Sequence, residues 1–262
     1  MDPILQTSLP FAPWIEPSAA RLPGIRPVAP RDWLLADEAF AGQMALRDRL
    51  IAERAGTVLA LDPSARPAAE ELVEVVAAQV TATPGYRRSG TITRPDGVSV
   101  ALDGDHPMAV AGRLAQEDFC VLERRGEEHV LTAAVLCFPA SWTLAEKAGR
   151  PLLGIHEPVE SYDADIARRV QRLFDAIRPG QVLMRANALL YADAELHQPR
   201  HAGARRPRPA AGAPAYMRSE RQCLVRLPRT GAVVFSIHTF VLRYEDLTAD
   251  QREGWERQGA GG

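Results

Sequence analysis

Apolar side chains recur at helical spacing in several parts of the chain. In residues 163–178 they fall on one face, and Pro179-Gly180 ends the pattern, so this segment is the clearest helix in the sequence. The same reasoning, with capping residues at the starts, predicts the other helices. They cover residues 37–54, 67–80 and 108–116, a brief turn from Thr143 to Gly149, and a last helix from Thr248 to about Arg257.

Short apolar or alternating segments between these helices predict strands. Residues 129–138 are nearly continuous in apolar side chains, which is typical of a strand covered on both faces. Turn residues such as Pro95-Asp96-Gly97 separate neighbouring strands and indicate hairpins. The predicted strands cover residues 91–93, 98–102, 118–124, 129–138, 181–191, 221–227 and 232–243.

The order of these elements indicates the fold class. Two helices come first, several strands follow, and a single long helix precedes the remaining strands. A doubly wound fold would alternate strands and helices regularly, and this chain does not. We therefore expect an α+β fold, with a mainly antiparallel sheet and helices packed against it.

Two segments do not fit regular elements. Residues 1–35 are rich in proline and aromatic side chains, so we expect them to wrap over the core as an extended arm. Residues 197–214 mix arginine and proline with alanine and glycine, which is typical of a flexible exposed loop. A chain of 262 residues is near the upper end of what one core can organise, so we expect one domain over 1–262 with this arm and loop; two small domains are the alternative.

Composition and charge exclude several classes of protein. A net charge of −2 gives no basic field for nucleic acid or anionic lipid, and no apolar stretch reaches the ~18 residues of a membrane span. The N-terminus lacks the pattern of a secretory signal. Cys120, Cys137 and Cys223 are odd in number and widely spaced, so we interpret them as buried apolar residues in a reducing compartment. We expect a cytoplasmic protein without nucleic-acid or membrane partners.

Motifs for common redox cofactors are absent from the sequence. There is no Gly-rich dinucleotide fingerprint and no phosphate-binding loop ending in Gly-Lys-Ser/Thr. Three scattered cysteines are too few for the four thiolates of a plant-type iron–sulfur cluster. If the chain performs redox chemistry, its electrons must come from another protein.

Two histidines are candidates for a metal ligand. His156 lies in residues 153–159, which we place in a loop between a short helix and the long one. A neutral imidazole there is suited to ligate haem iron, with Glu157 or a backbone carbonyl orienting the ring. The alternative is a histidine that is hydrogen-bonded within a turn. His238 is the second candidate, and for it a hydrogen-bonded, half-buried position is the favoured interpretation.

Polar residues on two predicted strands suggest the lining of a site. Arg185 and Asn187 share a face with apolar neighbours on strand 181–191, although Arg185 could instead pair with a carboxylate at the sheet edge. Glu220 and Arg221 lie at the predicted start of the next strand. Glu220 is suited to hold an ammonium group and Arg221 a haem propionate; the alternative is a solvated charged strand end.

Several short motifs in a fixed order, spanning residues 20–243, carry a resemblance to a known family. They are Leu22-Pro23-Gly24-Ile25-Arg26-Pro27, Asp32-Trp33-Leu34, residues 116–123, 137–142, 146–150 and 155–159 with Tyr162, Arg185-Ala186-Asn187, Glu220-Arg221-Gln222, and residues 227–235. Each motif is weak alone, and their joint order is fairly specific. The chain resembles the haem-dependent oxidative N-demethylase α subunits and their uncharacterised relatives.

The resemblance implies a PAS-like fold with b-type haem and a histidine ligand to the haem iron, which maps best onto His156. It implies oxidative demethylation of a small N-methyl amine with O2, electrons from a separate flavin or iron–sulfur reductase, and formaldehyde as by-product. Arg185 and Asn187 would then lie near bound O2 or a propionate, and Glu220 near the substrate ammonium. Lys147 is a weaker candidate for a propionate.

The sequence departs from the family at two places. Ala188 stands where the family often has Trp, and Ile237-His238-Thr239-Phe240 where it often has Ile-Arg-Thr-Tyr. Both changes bear on the size and polarity of a pocket. Two other functions therefore stay open: a non-catalytic haem or gas-sensing module, because PAS-like folds are commonly sensors, and a haem-free scaffold.

Overall fold

A computed structural model describes residues 2–16, 24–156, 164–201, 203–210, 212–213 and 215–259 of the protein. The helices of these residues are α1 (Phe40–Glu53), α2 (Ala55–Val58), α3 (Arg66–Thr81), α4 (Pro107–Leu114), α5 (Leu144–Lys147), α6 (Leu152–His156), α7 (Ala164–Ala176) and α8 (Ala249–Gly259). The strands are β1 (Arg26–Val28), β2 (Leu59–Leu61), β3 (Arg87–Ser89), β4 (Thr91–Thr93), β5 (Ser99–Val100), β6 (Asp118–Arg125), β7 (Glu128–Val135), β8 (Val182–Tyr191), β9 (Tyr216–Arg226) and β10 (Val233–Arg243).

The largest sheet of the described chain has seven strands in the order β1-β8-β9-β10-β6-β7-β2. Every neighbouring pair in it is antiparallel. The strands β3, β4 and β5 form a separate small sheet. The predicted α+β fold with a mainly antiparallel sheet is therefore confirmed.

Helices cover both faces of the large sheet. On one face α1, α3 and α4 contribute Met44, Leu72 and Met108, which are fully buried in the main core. On the other face α5, α6 and α7 contribute Leu144, Leu152 and Phe174 to a second apolar cluster. The sheet is therefore the middle layer, which explains the nearly continuous apolar pattern of β7.

Residues 2–16 and α8 pack together against the ends of β9 and β10. The backbone of Gln6 donates to Val241 O at 2.8 Å, and the Gln6 side chain accepts from Val241 N at 2.8 Å. The rings of Trp14 and Trp255 meet edge to face, with centroids 5.2 Å apart. The N-terminal segment thus adds a third apolar cluster at this end of the sheet.

Two predicted boundaries are wrong in ways that matter for the site. Strand β9 begins at Tyr216 and not at residue 221, because it pairs along its whole length with both β8 and β10. Glu220 and Arg221 consequently lie inside a central strand. His156 ends the short helix α6, whereas the sequence pattern placed it in a loop.

In the described part of the chain, no helix combines the length and the apolar character that crossing a bilayer requires.

Candidate functional site

One face of the large sheet carries the candidate residues of β8 and β9. Side chains alternate between the two faces of a strand, and residues opposite each other in an antiparallel pair share a face. Arg185 is opposite Gln222, and Asn187 is opposite Glu220. We call this side of the sheet the site face; it is the side on which α5, α6 and α7 pack.

The site face is divided into an apolar and a polar part. The apolar patch comprises Cys120, Leu122, Leu183, Leu224, Phe235 and Ile237. The polar patch comprises Arg185, Asn187, Glu220, Gln222 and Thr239. Leu189, on the same face of β8, is 47% exposed. Such a division suits a ligand with a broad apolar surface and a few charged groups.

Glu220 is the buried carboxylate of the polar patch, with 7% of its surface exposed. Its Oε2 accepts hydrogen bonds from Asn187 Nδ2 at 3.3 Å and from Gln222 Nε2 at 3.0 Å. Its Oε1 lies 3.6 Å from Nη2 of Arg218, whose guanidinium also donates to backbone carbonyls. The alternative of a solvated strand end is therefore wrong for Glu220.

Arg185 lies beside this carboxylate but does not pair with it. The side chain is partly buried, and it has no hydrogen bond or ion pair to any residue that the structure describes. Burial lowers the pKa of Arg185, and the nearby charge of Glu220 opposes that effect. The alternative that Arg185 pairs with a carboxylate at the sheet edge is therefore wrong, and the donors of its guanidinium are free among the described residues.

Thr239 completes the polar patch from β10. It lies directly opposite Glu220 and is 1% exposed. Its Oγ1 is buried without a hydrogen-bond partner in the described chain, whereas its backbone oxygen accepts from Gln6 and Gln43. A buried hydroxyl without a partner costs free energy, so the polar patch includes an unsatisfied polar group beside Glu220.

Lys147, at the end of α5, lies on the same side of the sheet. Its Nζ is 4.8 Å from the centre of the Trp142 ring. Burial lowers the pKa of Lys147, and the neighbouring Cys120 and Glu146 oppose that effect. Because Cys120 belongs to the apolar patch, the ammonium group of Lys147 lies at the border of that patch.

The helix α6 packs on the apolar patch. Its start is fixed to β7, because Gly149 N donates to Leu131 O at 2.8 Å and Leu131 N donates to Arg150 O at 3.1 Å. Leu152 and Ile155 then pack into the same cluster as the apolar patch. The α6 backbone thus ends at His156 on this side of the sheet, while the His156 side chain and residues 157–163 lie outside the described part.

Two further candidates lie on the opposite face. Arg221 donates to the backbone oxygens of Trp33 and Asp32, so it fastens the segment before α1 and has no access to the site face. His238 is fully buried between Glu117 and Asp37, with each ring nitrogen 3.0 Å from a carboxylate oxygen. The interpretation of His238 as a hydrogen-bonded histidine is confirmed, although it is fully and not half buried.

The three cysteines are free and buried, as the sequence indicated. Burial raises the pKa of each thiol to about 12. A thiol of such pKa is neutral near pH 7 and unreactive.

Gln222 and Thr239 lie in segments that the sequence analysis named, but neither was given a role in the site. The alternation of β9 was sufficient to place Gln222 on the same face as Glu220, once the strand is known to include both. Thr239 carried no such signal, because only the register of β9 against β10 puts it opposite Glu220.

These features define an α+β protein with a candidate ligand site between its antiparallel sheet and its second layer of helices. A family model described as haem-dependent oxidative N-demethylase, alpha subunit-like, matches residues 24–258. The chain belongs to this family, and the match covers every candidate residue of the site.

Proposed function

We propose that the chain binds haem b and catalyses the oxidative N-demethylation of a small N-methyl amine, with O2 and with electrons from a separate flavin or iron–sulfur reductase. The observation that carries the proposal is the division of the site face. An apolar patch lies under the helices that end in Lys147 and His156, and a buried carboxylate, Glu220, lies in the polar patch beside it. Membership of the family supports the haem.

The residues on this side of the sheet have side chains of the kinds that hold a haem. In the proposal His156 ligates the iron, the apolar patch contacts the porphyrin, and Lys147 pairs with a propionate. Leu189, which is 47% exposed on the same face of β8, agrees with a surface that a ligand covers. When bound, haem would supply the activation of O2 that the side chains of this chain do not provide.

The polar patch would bind and orient the amine substrate. Glu220 pairs with the ammonium group and holds the N-methyl carbon in a fixed position. Asn187 and Gln222 fix the carboxylate through Oε2, so its other oxygen keeps the capacity to accept from the substrate. Oxidation of the methyl carbon gives a carbinolamine, which splits into the demethylated amine and formaldehyde. Overall, one O2, two electrons and two protons are consumed and one water is formed.

The first test is an absorption spectrum of the purified chain after haem supplementation, in the oxidised and the dithionite-reduced forms. We expect a Soret band with the features of histidine ligation in the wild type and its loss in His156→Ala. The matched control is His106→Ala, because His106 precedes α4 on the opposite side of the sheet. Full haem content in His156→Ala would refute the ligand assignment.

The second test is turnover with a reductase and NADH. Formaldehyde released in proportion to the O2 consumed supports the enzyme. Binding of O2 or CO without formaldehyde from any N-methyl amine would favour a sensor module instead. If the wild-type chain takes up no stoichiometric haem, both haem-dependent functions are refuted and the haem-free scaffold is supported.

A further inference from the structure

The polar patch sets a guanidinium beside a carboxylate without joining them. Arg185 and Glu220 are diagonal neighbours on paired strands, because Arg185 is opposite Gln222 and Asn187 is opposite Glu220. Diagonal neighbours in an antiparallel pair have their Cα atoms roughly 7–8 Å apart. Both charged groups can therefore reach one small molecule lying between them on the site face.

The bonding of Glu220 explains why the two side chains stay apart. Its Oε2 is occupied by Asn187 and Gln222, and its Oε1 faces Arg218 at 3.6 Å. Arg185 is left without an ion pair among the described residues, although it is partly buried. A desolvated cation without a counter-ion costs free energy, which a bound anion would recover.

From this arrangement, and resting on the proposed function, we propose that the substrate is an N-methyl amino acid. Its ammonium group binds Glu220 and its carboxylate binds Arg185. The planar fork of a guanidinium matches the two oxygens of a carboxylate. An amine without a carboxylate would leave Arg185 desolvated and unpaired, so the same pair of residues selects against simple methylamines.

Binding measurements test the proposal without a reductase. Isothermal calorimetry of the haem-supplemented chain is run with N-methylglycine and with dimethylamine. We expect N-methylglycine to bind at least about 10-fold more tightly than dimethylamine. Arg185→Gln should lower the affinity for N-methylglycine about 100-fold, because it removes one partner of a buried charge pair. The affinity for dimethylamine should change by no more than about twofold. Arg185→Lys should restore part of the loss, because it keeps the charge without the fork.

Arg243→Gln is the matched control, since Arg243 is exposed at the end of β10 and this variant should bind both ligands as the wild type does. Equal affinity of the wild type for the two ligands would overturn the proposal. The carboxylate that binds Arg185 could also come from a haem propionate. Loss of haem from Arg185→Gln, with unchanged affinity for N-methylglycine, would assign the guanidinium to that propionate and overturn the proposal as well.

The outcome is separable from that of the proposed function. Selective binding of N-methylglycine without release of formaldehyde would contradict the demethylation and support the recognition of the zwitterion. Release of formaldehyde from dimethylamine as efficiently as from N-methylglycine would support the demethylation and refute the recognition.

Discussion

Glu220 is held in place by neutral amides and lies beside charged groups. Two amides bind the same oxygen, so the carboxylate has a fixed orientation and its second oxygen keeps accepting capacity. The buried hydroxyl of Thr239 lies opposite, without a partner in the described chain. Glu220 is therefore the side chain on which the proposed recognition of an ammonium group depends most.

Replacing Glu220 by glutamine keeps the size of the side chain and removes its charge. We expect KM for the amine to rise about 100-fold, because the ammonium group loses its counter-charge in a buried place, while haem content stays unchanged. Steady-state formaldehyde release and the Soret absorbance measure the two effects. Glu53→Gln, at an exposed position near the end of α1, is the control and should change neither. An unchanged KM in Glu220→Gln would contradict the assigned role.

Strand β10 carries a different chemistry on each face. Thr239 belongs to the polar patch, whereas His238 points into the layer of α1 and bonds to Asp37 and Glu117. Burial alone would lower the pKa of His238, but the two carboxylates outweigh it and raise the pKa to about 9. For Asp37 burial acts in the other direction and would raise the pKa. The hydrogen bond and charge of His238, together with the hydrogen bonds from the amides of Gln116 and Gln6, outweigh burial and lower the pKa of Asp37 to about 2.

The raised pKa of His238 predicts how stability depends on pH. The folded state holds the proton more tightly than the unfolded state, whose histidine pKa is near 6.5. The stabilisation is thus complete below pH 6.5 and is lost as pH rises through about 9. We expect the free energy of unfolding to fall by about 3 kcal/mol over this window, measured by urea titration.

His238→Arg is the control for this pH dependence, because an arginine does not titrate in the window and the family often carries arginine here. Between pH 6.5 and 9 its stability should fall by less than that of the wild type, because the contribution of His238 is missing and only that of the buried thiols remains. A wild type that loses no more stability than His238→Arg over the window would show that folding does not raise the pKa of His238.

At the level of the whole molecule, residues 2–16 and the helix α8 meet at one end of the sheet. Trp14 donates to Gln251 O at 2.8 Å and packs on Trp255 of α8, and Gln251 in turn donates to Leu9 O at 3.0 Å. Gln6 binds the backbone of β10 and also donates to Asp37 at 2.8 Å. Residues 2–16 therefore contact the core through apolar packing and through the buried polar network around His238.

These contacts lead to a prediction about cooperativity. We propose that the chain unfolds as one domain, so Trp14→Ala should shift the entire transition and lower the free energy of unfolding by about 2 kcal/mol. Thermal unfolding followed by both circular dichroism and haem absorbance checks this. Val98→Ala, at an exposed position in the small sheet region, is the control and should shift the curve little. Two separate transitions would contradict a single domain.

The sequence alone determined the fold class and most of the regular elements. Apolar spacing depends on local geometry, so the helices α1, α3 and α7 and the strands β6, β7, β8 and β10 could be placed to within a few residues. The alternation of β8 also put Arg185 and Asn187 together on one face. The ordered motifs identified the family, and the family match over residues 24–258 agrees with them.

Only the tertiary structure decided which charged residues share the site. Arg218 and Arg221 look like Glu220 in the sequence, as charges at the start of a strand, yet Arg221 points to the opposite face and binds backbone oxygens there. Adjacent residues of a strand point to opposite faces, and only the packing of β9 between β8 and β10 decides that the side of Glu220 is the site face. For the same reason the sequence could not show that Glu220 is bound by amides and that Arg185, its neighbour in space, remains unpaired.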